Sequence, residues 1–229
     1  MKKKNRVVGN SNQKNADTSS NHADSTKKVV ESVPSTPISL NSKIAWGLLI
    51  GLLSIAGFWL LKDFLLGKKT NLFLDIGSDM TNAFLPFNAL ATEYFQQNGI
   101  GSWSFRQGMG QDMLPLMNSP FYYFFFLGNS QNIPTNAIFI EFIRLLVNGI
   151  AFFWYLRTIK YNYYTSIFGA ICFAFMGFFA IAFGWTPLLA DWTLFLVLML
   201  ISIEHLIQNR SWYLLPISTF LMAINQPFN

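Results

Sequence analysis

The chain opens on a polar stretch and then alternates long apolar runs with short polar breaks. "IAWGLLIGLLSIAGFWLL", residues 44–61, holds no charged side chain. At about 1.5 Å of rise per residue, this run with its flanks reaches across a bilayer core of roughly 30 Å. It predicts a first membrane span, with Trp46 and Trp59 near its ends, where amphipathic rings favour the interfaces. Further apolar runs predict spans over about 137–156, 165–185, 187–203 and 212–226. The polar clusters "GKKTN", "GNSQNIP" and "QNRSW" mark breaks between elements.

Residues 62–136 separate the first two spans and are too many for a simple connector. Within them, "MTNAFLPFNALATEYFQQ" sets apolar side chains at 80, 84, 87, 91 and 95. That spacing predicts a helix with one apolar stripe, suited to lie on a membrane surface. Pro86 falls about one turn in and predicts a distortion or a later start, because it lacks the N–H that the helix needs. "MLPLMNSPFYYFFFLG", residues 113–128, is apolar but broken by Pro115 and Pro120 and too short to cross. It predicts a re-entrant or interfacial segment.

Composition agrees: 24 Phe, 7 Trp and 8 Tyr with only 12% charged residues exclude an ordinary soluble domain. Basic residues are unevenly spread, with eight of the sixteen Lys and Arg in residues 1–43. No apolar core follows that basic start until residue 44, so it is not a secretory signal peptide. It reads as a disordered cytoplasmic tail able to touch anionic head groups. The tail, "RTIKYNY" and "QNRS" are all basic, which puts them on the cytoplasmic side and residues 62–136 outside. Lys62, Lys68 and Lys69 run against this rule and are outvoted. The fold class expected is an all-α polytopic membrane protein with a long first extracytoplasmic loop carrying amphipathic and re-entrant helices. Nucleic acid is not an expected partner, since the basic tail has no interleaved aromatics. Cys172, alone in an apolar run, is expected to serve packing.

Candidate chemistry centres on "LFLDIGSDMTNAFLPF", which holds Asp75 and Asp79. Gly77 and Ser78 between them predict a turn that makes the two acids diverge. Asp79 suits a helix N-cap; its functional alternative is a carboxylate base for a hydroxyl proton, or a contact to a divalent cation. No other cofactor is indicated. In "GIGSWSFRQGMGQDM", residues 99–113, the lysine and the strand-to-helix context of a nucleotide phosphate loop are missing. Arg106, Gly108, Gly110 and Asp112 there suit a lipid-linked phosphate, held by the guanidinium and exposed backbone N–H groups. A plain tight turn accounts for the same pattern. Glu141 and Arg144 lie three apart in the second span, where they can pair, and such groups usually face a bundle interior or polar cavity. Asp191 reads as an acid at a helix start, and His205, beside Glu204, as an interfacial group at the cytoplasmic end of span four.

The ordered set "GSDMTNAFLPF", "GIGSWSFRQGMGQD", "SPFYYFFFL", "FIRLLVNGIAFFWYLR" and "ADWTLFLVLMLISIEHLI" resembles the YfhO-type bacterial membrane proteins over roughly residues 44–229. The resemblance implies a GT-C-like membrane glycosyltransferase in the bacterial cell membrane. Such a protein moves a sugar from a polyprenyl-phosphate donor to an envelope glycopolymer such as teichoic acid, on the extracytoplasmic face of Gram-positive bacteria. The partners it implies are the lipid-linked donor, the polymer acceptor and membrane lipid. Asp79 matches the family's catalytic base or metal contact most closely, with Asp75 its neighbour. Arg106, Gly108, Gly110 and Asp112 match the glycine-rich loop segment. Members of the family continue through many more spans, so the chain is expected to be an N-terminal portion. The competing expectations are an inactive truncated fragment and a non-enzymatic transporter or export-complex subunit, for which Glu141 and Arg144 are the visible ionisable cluster.

Overall fold

The computed structural model describes residues 40–70, 80–99, 103–106, 108–113, 119–121, 123–177 and 188–224. The tail expected over 1–43 lies almost wholly outside these, as do Asp75, Asp79 and the later part of the third expected span. In chain order the elements are α1 (Ser42–Leu65), a π-helical turn (Met80–Phe84), α2 (Leu85–Asn98), β1 (Trp103–Ser104) and β2 (Gln111–Asp112). They continue with α3 (Tyr123–Phe126), a 3-10 turn (Ser130–Asn132), α4 (Ile133–Thr158), α5 (Tyr163–Ala174), α6 (Leu188–Ile207) and α7 (Leu214–Ile224).

Each of the expected spans contains a helix. Two of the helical segments, Ser42–Leu65 and Ser130–Thr158, are long and apolar enough to cross a membrane. α1 starts cleanly because the Asn41 side chain accepts from the Lys43 N–H at 3.1 Å. It is apolar all round, yet only the row Ala45, Leu49, Leu53, Gly57 and Leu61 is buried, one residue per turn.

α4 is the central helix and separates two apolar cores. Leu145 and Phe153 meet Leu49 and Leu53 of α1 and Ile167, Ala170 and Ala174 of α5. Ile133, Ala137, Ile140 and Ala151 meet Leu194, Val197 and Ile201 of α6, together with Phe125 and Phe126 of α3. α1 runs antiparallel to α4: Trp46 stands edge-on to Phe153 at 4.7 Å, whereas Gly57 lies against Phe142 and Leu145. Gly149 brings the helices close, since a Cβ there would sit 2.7 Å from Leu53 Cδ1 and 3.2 Å from Ala174 Cβ. Small residues at such crossings let backbones approach where no water drives the association.

The basic turns gather at one end of the bundle. Gln208 Nε2 at the end of α6 donates to the Thr158 carbonyl at the end of α4, at 3.0 Å. The start of α1 lies at this end too, through the contact of Trp46 with Phe153. Arg157 covers the Tyr163 ring at 3.8 Å in the turn that also holds Lys160. The start of α1, "RTIKYNY" and "QNRS" therefore share one end of the bundle.

The opposite end carries a folded cap. Pro86 acts as expected: the chain makes a π-helical turn through Met80–Phe84, and the regular helix begins only at Leu85. The apolar stripe of α2 is covered by protein: Phe84 meets Phe125 edge-on at 6.1 Å and Phe95 stacks on Phe126 at 4.6 Å. Residues 103–112 form an antiparallel hairpin, with Trp103 opposite Asp112 and Ser104 opposite Gln111. Tyr94 Oη of α2 donates to the Trp103 carbonyl at 2.6 Å and ties the hairpin down. One expectation is corrected: Cys172 is exposed on α5 and fills no core. A helix facing lipid is apolar on its outer side as well, so an apolar neighbourhood in sequence does not separate the two faces.

Candidate functional site

The described structure holds two polar constellations. The first is buried in the bundle. Residues i, i+3 and i+7 share a helix face, so α4 presents Glu141, Arg144 and Asn148 together. Arg144 Nη1 lies 2.5 Å from Glu141 Oε1. Across from it, Asp191 in the first turn of α6 takes the other edge of the guanidinium, Nε to Oδ1 at 2.8 Å and Nη2 to Oδ2 at 3.0 Å. The Nη2 contact is a hydrogen bond between charged groups, which is stronger than a neutral one, and the Nε contact adds close charge pairing. Ser119, from the segment between the hairpin and α3, donates its hydroxyl to Asp191 Oδ2. Ser119 Oγ in turn accepts from Arg144 Nη2 at 3.3 Å and from the Phe121 N–H at 3.2 Å. Phe121 places its ring 5.2 Å from the guanidinium carbon. One turn along α4, Asn148 donates to the Arg144 carbonyl at 2.9 Å and accepts from Thr193 Oγ1 at 2.9 Å.

Arg144 and Asp191 are 1% and 0% exposed, so the cluster is sealed from solvent. Its chemistry is that of a pin: one cation binds two helices and the cap segment that carries Ser119. The Glu141–Arg144 pair was legible in the sequence. Asp191 and Ser119 were not expected here. The available signal was the excess of donors on Arg144, whose five N–H groups one neighbouring glutamate cannot satisfy.

The second constellation is the exposed hairpin. Arg106 Nη1 lies 3.3 Å from Glu93 Oε2 and Nη2 lies 2.5 Å from Gln97 Oε1, so α2 fixes the guanidinium while its side chain stays 43% exposed. Glu93 is itself held by Ser130 Oγ at 2.9 Å. Gly108 and Gly110 have φ of 53° and 108°, which side chains with a Cβ rarely adopt. Gly110 also lies beneath the Trp103 indole, where a Cβ would be 2.4 Å from Nε1. Asp112 is exposed on β2. Four of the six expected site residues, Arg106, Gly108, Gly110 and Asp112, thus share one hairpin; Asp75 and Asp79 lie outside the described residues.

Among the described residues, no group of three or more metal-ligating His, Cys, Asp or Glu comes together. His205 sits in the basic end, its Nδ1 3.1 Å from Ser211 Oγ and its ring edge-on to Trp154.

A family model described as bacterial membrane protein YfhO matches residues 47–226. The chain belongs to the YfhO family. The matched stretch of this YfhO-family chain includes both constellations and the two acids ahead of α2. It makes the chain a bacterial membrane protein. No curated protein gives a significant match, and no solved structure does.

Proposed function

We propose that this chain acts as a membrane glycosyltransferase that uses a polyprenyl-phosphate-linked sugar. The basic end of the bundle is cytoplasmic by the positive-inside rule. The cap then works on the extracytoplasmic face, where an envelope glycopolymer such as teichoic acid is the acceptor. The observation that carries the reading is the position of Arg106. It is the only Lys or Arg between Lys69 and Arg144, and α2 holds it half-exposed at the surface of the cap.

In the proposed reaction the acceptor hydroxyl oxygen attacks the anomeric carbon of the donor sugar. The bond from that carbon to the phosphate oxygen breaks, and the polyprenyl phosphate leaves with the electron pair. Asp79, directly before Met80 in sequence, takes the hydroxyl proton, with Asp75 as its neighbour. Arg106 offsets the charge that develops on the leaving phosphate, using N–H donors beyond the two engaged by Glu93 and Gln97. Gly108 and Gly110 let the backbone approach the phosphate, and Asp112 borders the same surface.

Transport is the weaker reading. It requires ionisable groups along an open path, and Glu141, Arg144 and Asp191 are instead buried and paired with one another. The glycosyltransferase reading is tested in membranes carrying the full chain, supplied with synthetic polyprenyl-phosphate hexoses and envelope polymer. Sugar transfer by the natural chain and its loss in Asp79→Asn, with membrane insertion unchanged, are expected. Equal transfer by Asp79→Asn would remove that residue from the mechanism.

A further inference from the structure

The hairpin displays apolar side chains where a soluble loop would be polar. Phe105 is 78% exposed, Met109 91% and Trp103 51%, all within ten residues of one turn. Trp103 and Phe105 stand edge to face at 6.3 Å and form one apolar surface. That surface cannot fold back into the cap. Trp103 is fixed from behind by Gly110 and by the Tyr94 hydroxyl, and Arg106, next to Phe105, is fixed by Glu93 and Gln97. Trp103 and Phe105 are therefore held at the surface, open to whatever covers them.

We infer that Trp103, Phe105 and Met109 form a membrane-interface anchor that enters the adjacent lipid leaflet. Three observations choose lipid as the occupant. The chain is a bacterial membrane protein, so lipid is a surface its exposed apolar groups can meet. The residue set is that of the interface: a tryptophan, a phenylalanine and a methionine beside one guanidinium. The charge is complementary too, because Arg106 sits between Phe105 and Met109 in the chain, and a leaflet offers acyl chains to the two apolar groups and a phosphate layer to the cation between them. Insertion would hold Arg106 at the level of lipid phosphates. The inference stands whether or not sugar transfer does.

The test uses the full chain with Cys172→Ala, carrying a single engineered cysteine by Met109→Cys and labelled with an environment-sensitive fluorophore, in phosphatidylcholine–phosphatidylglycerol vesicles. Phe105→Cys labelled the same way is the second site, and Gln131→Cys, exposed beside the 3-10 turn, is the aqueous reference. Expected are blue-shifted emission at 105 and 109, quenching by nitroxide-bearing lipid, and shielding from iodide relative to 131. Equal iodide quenching at all three positions would overturn the anchor. Shielding that disappears on dilution of protein in lipid would overturn it as well, since a second copy of the chain would then be the cover.

Discussion

Arg144 and Asp191 meet through an ion-pair contact at 2.8 Å and a hydrogen bond at 3.0 Å, although they lie 47 positions apart in the chain. With Glu141 on the same guanidinium and Ser119 on the same carboxylate, this pair joins α4, α6 and the cap. Removing one member of a buried pair leaves an uncompensated charge, which costs about 3–5 kcal/mol. Arg144→Met is therefore expected to lower thermal stability sharply in detergent or nanodiscs. Replacing Glu141 and Asp191 with leucine alongside it should recover most of the loss, because no charge then remains unpaired. A single Arg144→Met variant as stable as the natural chain would show that the pair is not a pin.

The two hairpin glycines make a matched comparison. Gly108 has φ of 53° and open space where a Cβ would go, so Gly108→Ala carries only the left-handed backbone cost of about 1–2 kcal/mol. Gly110 has φ of 108° and also meets the Trp103 indole at 2.4 Å, so Gly110→Ala should open the hairpin. Hydrogen exchange over residues 103–112 is expected to rise much more in Gly110→Ala than in Gly108→Ala, with the bundle helices unchanged. Equal protection in both variants would contradict the Trp103–Gly110 contact.

Helix packing offers a second comparison. Gly149→Ala forces Leu53 and Ala174 apart and should destabilise the bundle by about 1–3 kcal/mol. Gly51 faces open space, so Gly51→Ala should be neutral or stabilising by up to roughly 1 kcal/mol through helix propensity. Thermal unfolding of the two variants side by side measures the difference.

A smaller effect is expected where Thr193 donates to Asn148 across α4 and α6. Hydrogen bonds between membrane helices average about 0.6 kcal/mol, so Thr193→Val should cost far less than Arg144→Met. A loss as large as that of Arg144→Met would mean that Asn148 positions Arg144.

Much of the architecture was legible because the lipid solvent demands long apolar runs, and those runs locate α1, α4 and α6 directly. The delayed start of α2 followed from the missing N–H of Pro86. The Glu141–Arg144 pair followed from helical spacing alone. Asp191 was read only as an acid at a helix start, because local spacing carries no information about a partner on another helix. Ser119, between Asn118 and Pro120, reads locally as part of a break in an apolar run; its role depends on where α6 begins. The glycine-rich stretch suited both a lipid-linked phosphate and a tight turn. Its described residues pair as a hairpin with Arg106 braced against α2, an arrangement that depends on α2 and so has no local signal.

In the proposed sugar transfer, Asp79 and Arg106 have different tasks. Initial rates of transfer from a polyprenyl-phosphate hexose, measured against donor concentration in membranes carrying the full chain, separate those tasks. Asp79→Asn is expected to lower kcat by roughly 100- to 10,000-fold with donor KM little changed, as for loss of a proton acceptor. Arg106→Gln should weaken transfer through the donor phosphate and raise KM. Transfer by Asp79→Asn at the rate of the natural chain would contradict a role for Asp79 as the proton acceptor.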